Sequence, residues 1–297
     1  MTTEERYQHP EYLVETAWLE DHLADPELRI FDCTVIAKLN AEAGGKVPFL
    51  FESGRAQFDK GHIPGAGFLD LLGDLSDRSS ALPFVLPSAR QFGATMAKAG
   101  IGDGARVVLY GTAEPIWAAR IWWMLRTFGF DNVAILNGGW TKWNAEGRPV
   151  SDLPHVYEPA RFSPRERPES LVGKAAVLAA IYDAAVLTIN ALPAPIFAGT
   201  GGPVFGRRGR IPGSVNVPFG SLHDPESGAY LAAGPLRDRF EAVGAHKAER
   251  IIAYCGSGIA ASNDAFALAL LGYDNVALYD ASLAEWGHDE SLPMETD

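Results

Sequence analysis

Cys255 stands between a short apolar run, Ile251-Ile-Ala-Tyr254, and the turn Gly256-Ser257-Gly258, after which Ile259 to Leu271 continues as an alanine- and leucine-rich helix former. A thiol at the tip of a strand, followed by glycines and a helix, has a definite chemistry. The glycines let the backbone curl so that the N–H groups of Gly256, Ser257, Gly258, Ile259, Ala260 and Ala261 point at one spot, and the helix N-terminus adds partial positive charge there. Such a ring of amides stabilises a thiolate, so Cys255 is expected to ionise more readily than a free cysteine and to act as a nucleophile. A buried packing cysteine also ends strands; the Gly-Ser-Gly turn and the helix favour the nucleophile. Ser257 is expected to donate a hydrogen bond to the departing group or to Cys255. It is not a serine-hydrolase nucleophile, because the Gly-x-Ser-x-Gly pattern is absent.

The elements that must position this loop are written twice. Arg106-Val-Val-Leu-Tyr-Gly111 matches Arg250-Ile-Ile-Ala-Tyr-Cys255, and Phe128-Gly-Phe-Asp-Asn-Val-Ala-Ile-Leu-Asn137 matches Leu271-Gly-Tyr-Asp-Asn-Val-Ala-Leu-Tyr-Asp280. Each copy closes on a tryptophan, Trp143 and Trp286, and Gly61-His-Ile-Pro-Gly65 answers Gly209-Arg-Ile-Pro-Gly213. Two long copies in the same order indicate a duplicated domain. Short unalternated strands (28–32, 106–110 and 133–136; 186–190, 251–254 and 276–279) between helical segments predict the α/β class, each copy a parallel sheet flanked by helices. Ligands of such sheets sit at the carboxyl ends of the strands, where Cys255 lies. The boundaries are read as a first domain over 1–148, a proline-rich linker over 149–164 and a second domain over 165–297.

The first copy has Gly111-Thr-Ala-Glu-Pro115 where the second has Cys255-Gly-Ser-Gly-Ile259, so no thiol stands at its strand tip and it should serve as a wall facing Cys255. Trp117, Trp122 and Trp123 read as core and inter-domain packing. Cys33 reads as an unreactive, partly buried thiol, and His62 as a structural residue of its turn.

The chain has 297 residues, 47 % hydrophobic and 21 % charged, with 25 basic and 37 acidic side chains and a net charge of -12. That balance argues against nucleic-acid and anionic-membrane partners, which need clustered Lys and Arg. No apolar run is long enough to span a bilayer. A polar, acidic start and only two cysteines suit a reducing cytoplasm. No metal-ligand spacing is present, and no cofactor is called for.

Tyr254-Cys-Gly-Ser-Gly-Ile-Ala-Ala-Ser262 resembles the active-site loop of the rhodanese superfamily, closest to its mercaptopyruvate sulfurtransferase branch. The resemblance runs from about residue 12 to 286. It implies two tandem rhodanese-like domains, the first catalytically silent, with the substrate in the cleft between them. It also implies a Cys255 persulfide that takes sulfur from a small anionic donor, thiosulfate or mercaptopyruvate-like, and passes it to thioredoxin, a small thiol or cyanide.

The family's two anion-holding arginines fall at Leu192 and Ala198. Arg207, Arg208 and Arg210, in one glycine-rich turn, are therefore expected to supply the missing charge. Asp74 or Asp70 matches the branch's relay aspartate, while Phe84 falls where its histidine would stand. A Cys-based phosphatase or arsenate reductase is less well matched, because the loop's terminal arginine is replaced by Ala261. The loss of both family arginines keeps open a retired binding or sulfur-carrier protein.

Overall fold

The computed structural model describes residues 6–40, 47–112, 114–153 and 155–297; Met1–Glu5, Ala41–Lys46, Ala113 and Pro154 lie outside the described residues. Twelve strands are formed among them: β1 (Leu13–Val14), β2 (Leu28–Asp32), β3 (Val35–Leu39), β4 (Phe49–Ser53), β5 (Gly67–Phe68), β6 (Arg106–Tyr110), β7 (Val133–Leu136), β8 (Leu171–Val172), β9 (Val186–Asn190), β10 (Val215–Asn216), β11 (Arg250–Tyr254) and β12 (Val276–Tyr279). The first half builds a sheet in the order β5-β2-β6-β7-β1 and the second a sheet in the order β10-β9-β11-β12-β8. Every pairing within these two sheets is parallel. The two orders correspond strand for strand, which is the duplication expressed in three dimensions.

The central strands β6, β7, β11 and β12 are apolar almost throughout, because helices cover both faces of each sheet and leave no solvent side for polar alternation. Trp143 and Trp286 are fully buried at equivalent places, and each donates its indole N–H to a proline carbonyl, that of Pro149 and of Pro293, at 2.8 Å.

The helices that follow β6 and β11, Ile116–Thr127 and Ile259–Leu270, pack on each other across the two halves. Both are buried on nearly every face, as expected of helices that are apolar all round. Trp122 meets Phe266 edge to face with centroids 4.8 Å apart, so the two sheets share one continuous core. The connecting segment lies along the first half. Tyr157 donates to the Gly65 carbonyl (2.7 Å) and accepts from the Ile30 N–H (2.9 Å), and Phe162 packs on Phe92 and Phe130.

One element departs from the expected pattern. The loop predicted after β2 contains an antiparallel hairpin, β3 with β4, which pairs Ala37 with Phe51 and Leu39 with Phe49. It was hidden because the second copy has no counterpart and a glycine-rich, polar stretch separates its two strands in the sequence. Its Phe49 ring approaches Phe205 of the second half at 6.2 Å, while Phe51 packs on Phe84 (4.6 Å) and Trp117 (6.4 Å) of the first half.

Candidate functional site

Cys255 leaves the carboxyl end of β11 and borders a cavity of about 560 Å³ lined by both halves. Its thiol is nearly inaccessible, at 1 % exposure, yet it borders this space together with Gly256, Ser257, Ile259 and Ala260. The backbone N–H groups of Ala261, Ser257, Gly258 and Ala260 lie around its sulfur, where they favour the thiolate. The loop closes this way because Gly258 takes φ +80 as it enters the helix, a conformation costly for a residue with a Cβ. Gly256 also has to lack a side chain, since a Cβ there would run into the Phe205 ring.

The ionisation expectation is corrected by this geometry. Burial pushes the Cys255 thiol above the ordinary cysteine value, outweighing the four amides that pull it down. Sulfur uptake should therefore rise with pH, about tenfold per unit while the thiol is mostly protonated, and keep rising beyond the usual cysteine range. Stopped-flow measurement of persulfide formation from pH 6 to 10 checks this; a plateau below neutrality would show a preformed thiolate.

Sequence reasoning missed the support beneath the loop. Ser282, itself at φ +50, accepts the Cys255 N–H on its hydroxyl (3.0 Å) and donates to the Tyr279 carbonyl (2.7 Å). The amides of Leu283 and Ala284 hold the carbonyls of Cys255 and Gly256 at 3.1 and 2.8 Å. Behind Gly258, Arg120 of the first half lies 2.7 Å from Asp280 of the second, with side chains 0 % and 10 % exposed. Arg120 also donates to the Phe84 carbonyl (2.6 Å), and Asp280 accepts the Leu86 N–H (2.9 Å). A lone arginine in the apolar run Ile116 to Leu125, and the change from Asn137 to Asp280 between copies, were the available signals of this buried pair.

The cavity is walled by the first half through Thr34, Ile36, Ala37, Phe49, Phe51, Thr112 and Trp117, and by the second through Leu192, Ile196, Phe205 and Phe219. The first half thus supplies the wall expected of it, and Trp117 belongs to that wall as well as to the core. Glu114 is the one charged side chain lining the cavity among the described residues. It is open to the solvent of the cleft, yet protein packed around its carboxyl pushes its pKa up.

The expected anion-holding residues are placed elsewhere. Arg207 spends its guanidinium on the carbonyls of Trp286, Gly287, Asp289 and Leu292, which pins the loop bearing Phe205 to the C-terminal segment. Arg210 pairs with Glu295 and Asp297 and stacks over Phe197, as His62 stacks on Phe58 in the first copy. Arg208 is exposed outside the cavity. Asp74 is exposed and paired with Arg78 at 3.0 Å, also away from the cavity. Asp70 caps the amides of Leu72 and Gly73. Phe84 is buried behind Phe51 (4.6 Å), with its backbone at φ +61. The second thiol, Cys33, is wholly buried, and burial together with Asp32 holds its pKa well above the ordinary range. His62 bonds the carbonyls of Phe58 and Leu153, a structural role.

Comparison with known proteins agrees with this architecture. A family model described as a rhodanese-like domain matches residues 15–146 and 202–289. The 3-mercaptopyruvate sulfurtransferase of Escherichia coli (strain K12) is 34 % identical over 286 residues, covering 96 % of this chain and 98 % of that protein. The sulfur carrier protein TtuD of Thermus thermophilus is 31 % identical over 304 residues, covering 97 % and 98 %. The crystal structure of SseA from Escherichia coli, a 3-mercaptopyruvate sulfotransferase, superposes with a TM-score of 0.77 at 33 % identity, covering 91 % of this chain and 98 % of that one. With two matching sheets, a cysteine loop at the end of β11 and these relatives along almost its whole length, the chain belongs to the rhodanese family in its two-domain sulfurtransferase form.

Proposed function

We propose that this sulfurtransferase moves a sulfane sulfur from a small donor to a thiol or to cyanide through a persulfide on Cys255. The observation that carries the reading is the position of Cys255, just past the carboxyl end of β11 and bordering a cavity lined by both halves. The Cys255 thiolate attacks the outer sulfur of the donor, whose bond to the rest of the donor breaks with the electron pair leaving on the departing group. The amides of Ser257, Gly258, Ala260 and Ala261 then hold the persulfide anion, whose conjugate acid is stronger than the parent thiol, so that it is better suited to a buried amide ring. A thiolate acceptor, a small thiol or thioredoxin, takes the outer sulfur and restores Cys255.

Residues 1–148 form the silent half, 149–164 the connection and 165–297 the reacting half. Ser257 lines the cavity, where its hydroxyl can donate a hydrogen bond to the departing group or to Cys255. No helix among the described residues is long and apolar enough to cross a membrane, and a reducing compartment such as the cytoplasm suits both the free thiol and a thiol acceptor.

Intact-mass analysis after incubation with thiosulfate, mercaptopyruvate and an organic persulfide in turn tests the reading. Cys255 should gain one sulfur atom and lose it to cyanide as thiocyanate over many turnovers. Loading without turnover would favour a sulfur carrier, the role named for the Thermus thermophilus relative. No added sulfur with any donor would end the proposal.

A further inference from the structure

An acceptor thiol meets a difficulty in this cavity. Only its thiolate attacks sulfur, yet a thiol with a pKa of about 8.5 is only about one-thirtieth ionised at pH 7. Apolar walls such as Phe49, Phe51, Phe205 and Phe219 make ionisation harder still, because a low dielectric disfavours the charged form. A base inside the cavity removes the difficulty. Cys255 cannot serve, since it carries the sulfur that is to be passed on. The other polar side chains of the lining are those of Thr34, Gln57, Thr112 and Ser257, three hydroxyls and an amide with no useful basicity near neutrality. Glu114 is what remains among the described residues. It lies in the loop between β6 and helix 116–127, at the position that Gly258 holds in the second copy. The copy that has no thiol at its strand tip therefore brings a carboxylate to the same cavity. Burial raises the pKa of that carboxyl with no charged neighbour contributing, which makes it a stronger base than a free glutamate.

We propose that Glu114 is a catalytic base for the second half of the reaction, taking the proton of an acceptor thiol that enters the cavity. This rests on the persulfide reading and adds its proton path. The S–H bond of R–SH breaks with its electron pair staying on sulfur, and the proton passes to a Glu114 carboxylate oxygen. The thiolate sulfur bonds to the outer sulfur of Cys255–S–S⁻, whose bond to Cys255 breaks with the pair returning to Cys255 as thiolate. As the new bond forms, the proton on Glu114 moves to the transferred sulfur, which offsets the meeting of two anions. R–S–SH leaves and Glu114 is again a carboxylate. Protons, charge and electrons balance with no further reactant.

For the test, the full-length protein is loaded on Cys255 and freed of donor, and discharge is followed by stopped flow and intact mass with two uncharged acceptors. N-acetylcysteine amide carries a thiol proton. Tris(hydroxypropyl)phosphine has no such proton and takes the outer sulfur as a phosphine sulfide. In Glu114→Gln the ratio of the thiol rate to the phosphine rate is expected to fall about 30-fold at pH 7, the scarcity of thiolate that the base makes good. At pH 10 the thiol arrives ionised, and the ratio should match that of the parent protein within about twofold. Glu114→Asp, which keeps a carboxylate, should recover most of the loss at pH 7. An unchanged ratio at pH 7 would overturn the assignment while leaving the persulfide intact. So would a loss as large at pH 10 as at pH 7, the result of a side chain that only shapes the cavity. Absence of loading by every donor would remove the persulfide reading and this one with it.

Discussion

Cys255→Ser should abolish sulfur transfer, with kcat falling beyond about 10⁴-fold to the limit of detection, since loss of a covalent nucleophile removes the whole double-displacement route. Serine fits the space left by the thiol and can accept the same loop amides, so the urea midpoint should stay close to that of the parent protein. No sulfur should be found on the variant by intact mass. The matching control is Cys33→Ala. Cys33 is buried at the end of β2, outside the cavity lining, and its removal should leave transfer within about twofold. If Cys33→Ala removed transfer and Cys255→Ser did not, the identity of the nucleophile would be reversed.

Arg120→Met should be the most damaging substitution away from the sulfur. Asp280 would keep the Leu86 amide but lose its cation in a site where it is 10 % exposed, and the Phe84 carbonyl would lose a donor. Breaking one side of a buried ion pair costs about 3–5 kcal/mol, which should lower the urea midpoint by more than about 1 M. Replacing both partners, Arg120→Met with Asp280→Leu, removes the stranded charge and should recover a large part of that loss. Because the pair lies against Gly258, the single variant should also slow persulfide formation, a kinetic readout that simple loss of stability in a still-folded population does not produce. A single variant as stable and as fast as the parent protein would show that the pair neither supports the interface nor shapes the loop.

The backbone was far more legible than the charges. β2, β7, β9 and β12 begin and end where the apolar runs do, because a strand covered on both faces writes its limits directly in hydrophobicity. The cysteine loop was equally readable, since strand, glycine turn and helix are contiguous in the chain. The hairpin β3–β4 was not, being an insertion that the second copy lacks, so the repeat could not reveal it.

The arginines misled for a different reason. Arg207 and Arg210 sit in a turn that looks unpartnered, but the carbonyls and carboxylates they serve come from 286–297, about eighty residues later, and only the folded chain brings them back. Thiol acidity was misjudged because local amides can be read from glycines, whereas the burial that opposes them is set by Phe205 and the facing half.

The shared core of the two halves also has a mechanical consequence. Helices 116–127 and 259–270 are interlocked through Trp122 and Phe266, and Arg120 of the first helix is riveted to Asp280 at the end of β12, so the two halves that enclose the sulfur are tied at more than one place. Molecules that reach the sulfur must therefore pass among side chains that include Phe49 and Phe51 of the β3–β4 hairpin and Phe205. Selection among incoming molecules is then exercised at the doorway, by what can slip past greasy lips, rather than by jaws closing on a guest already inside.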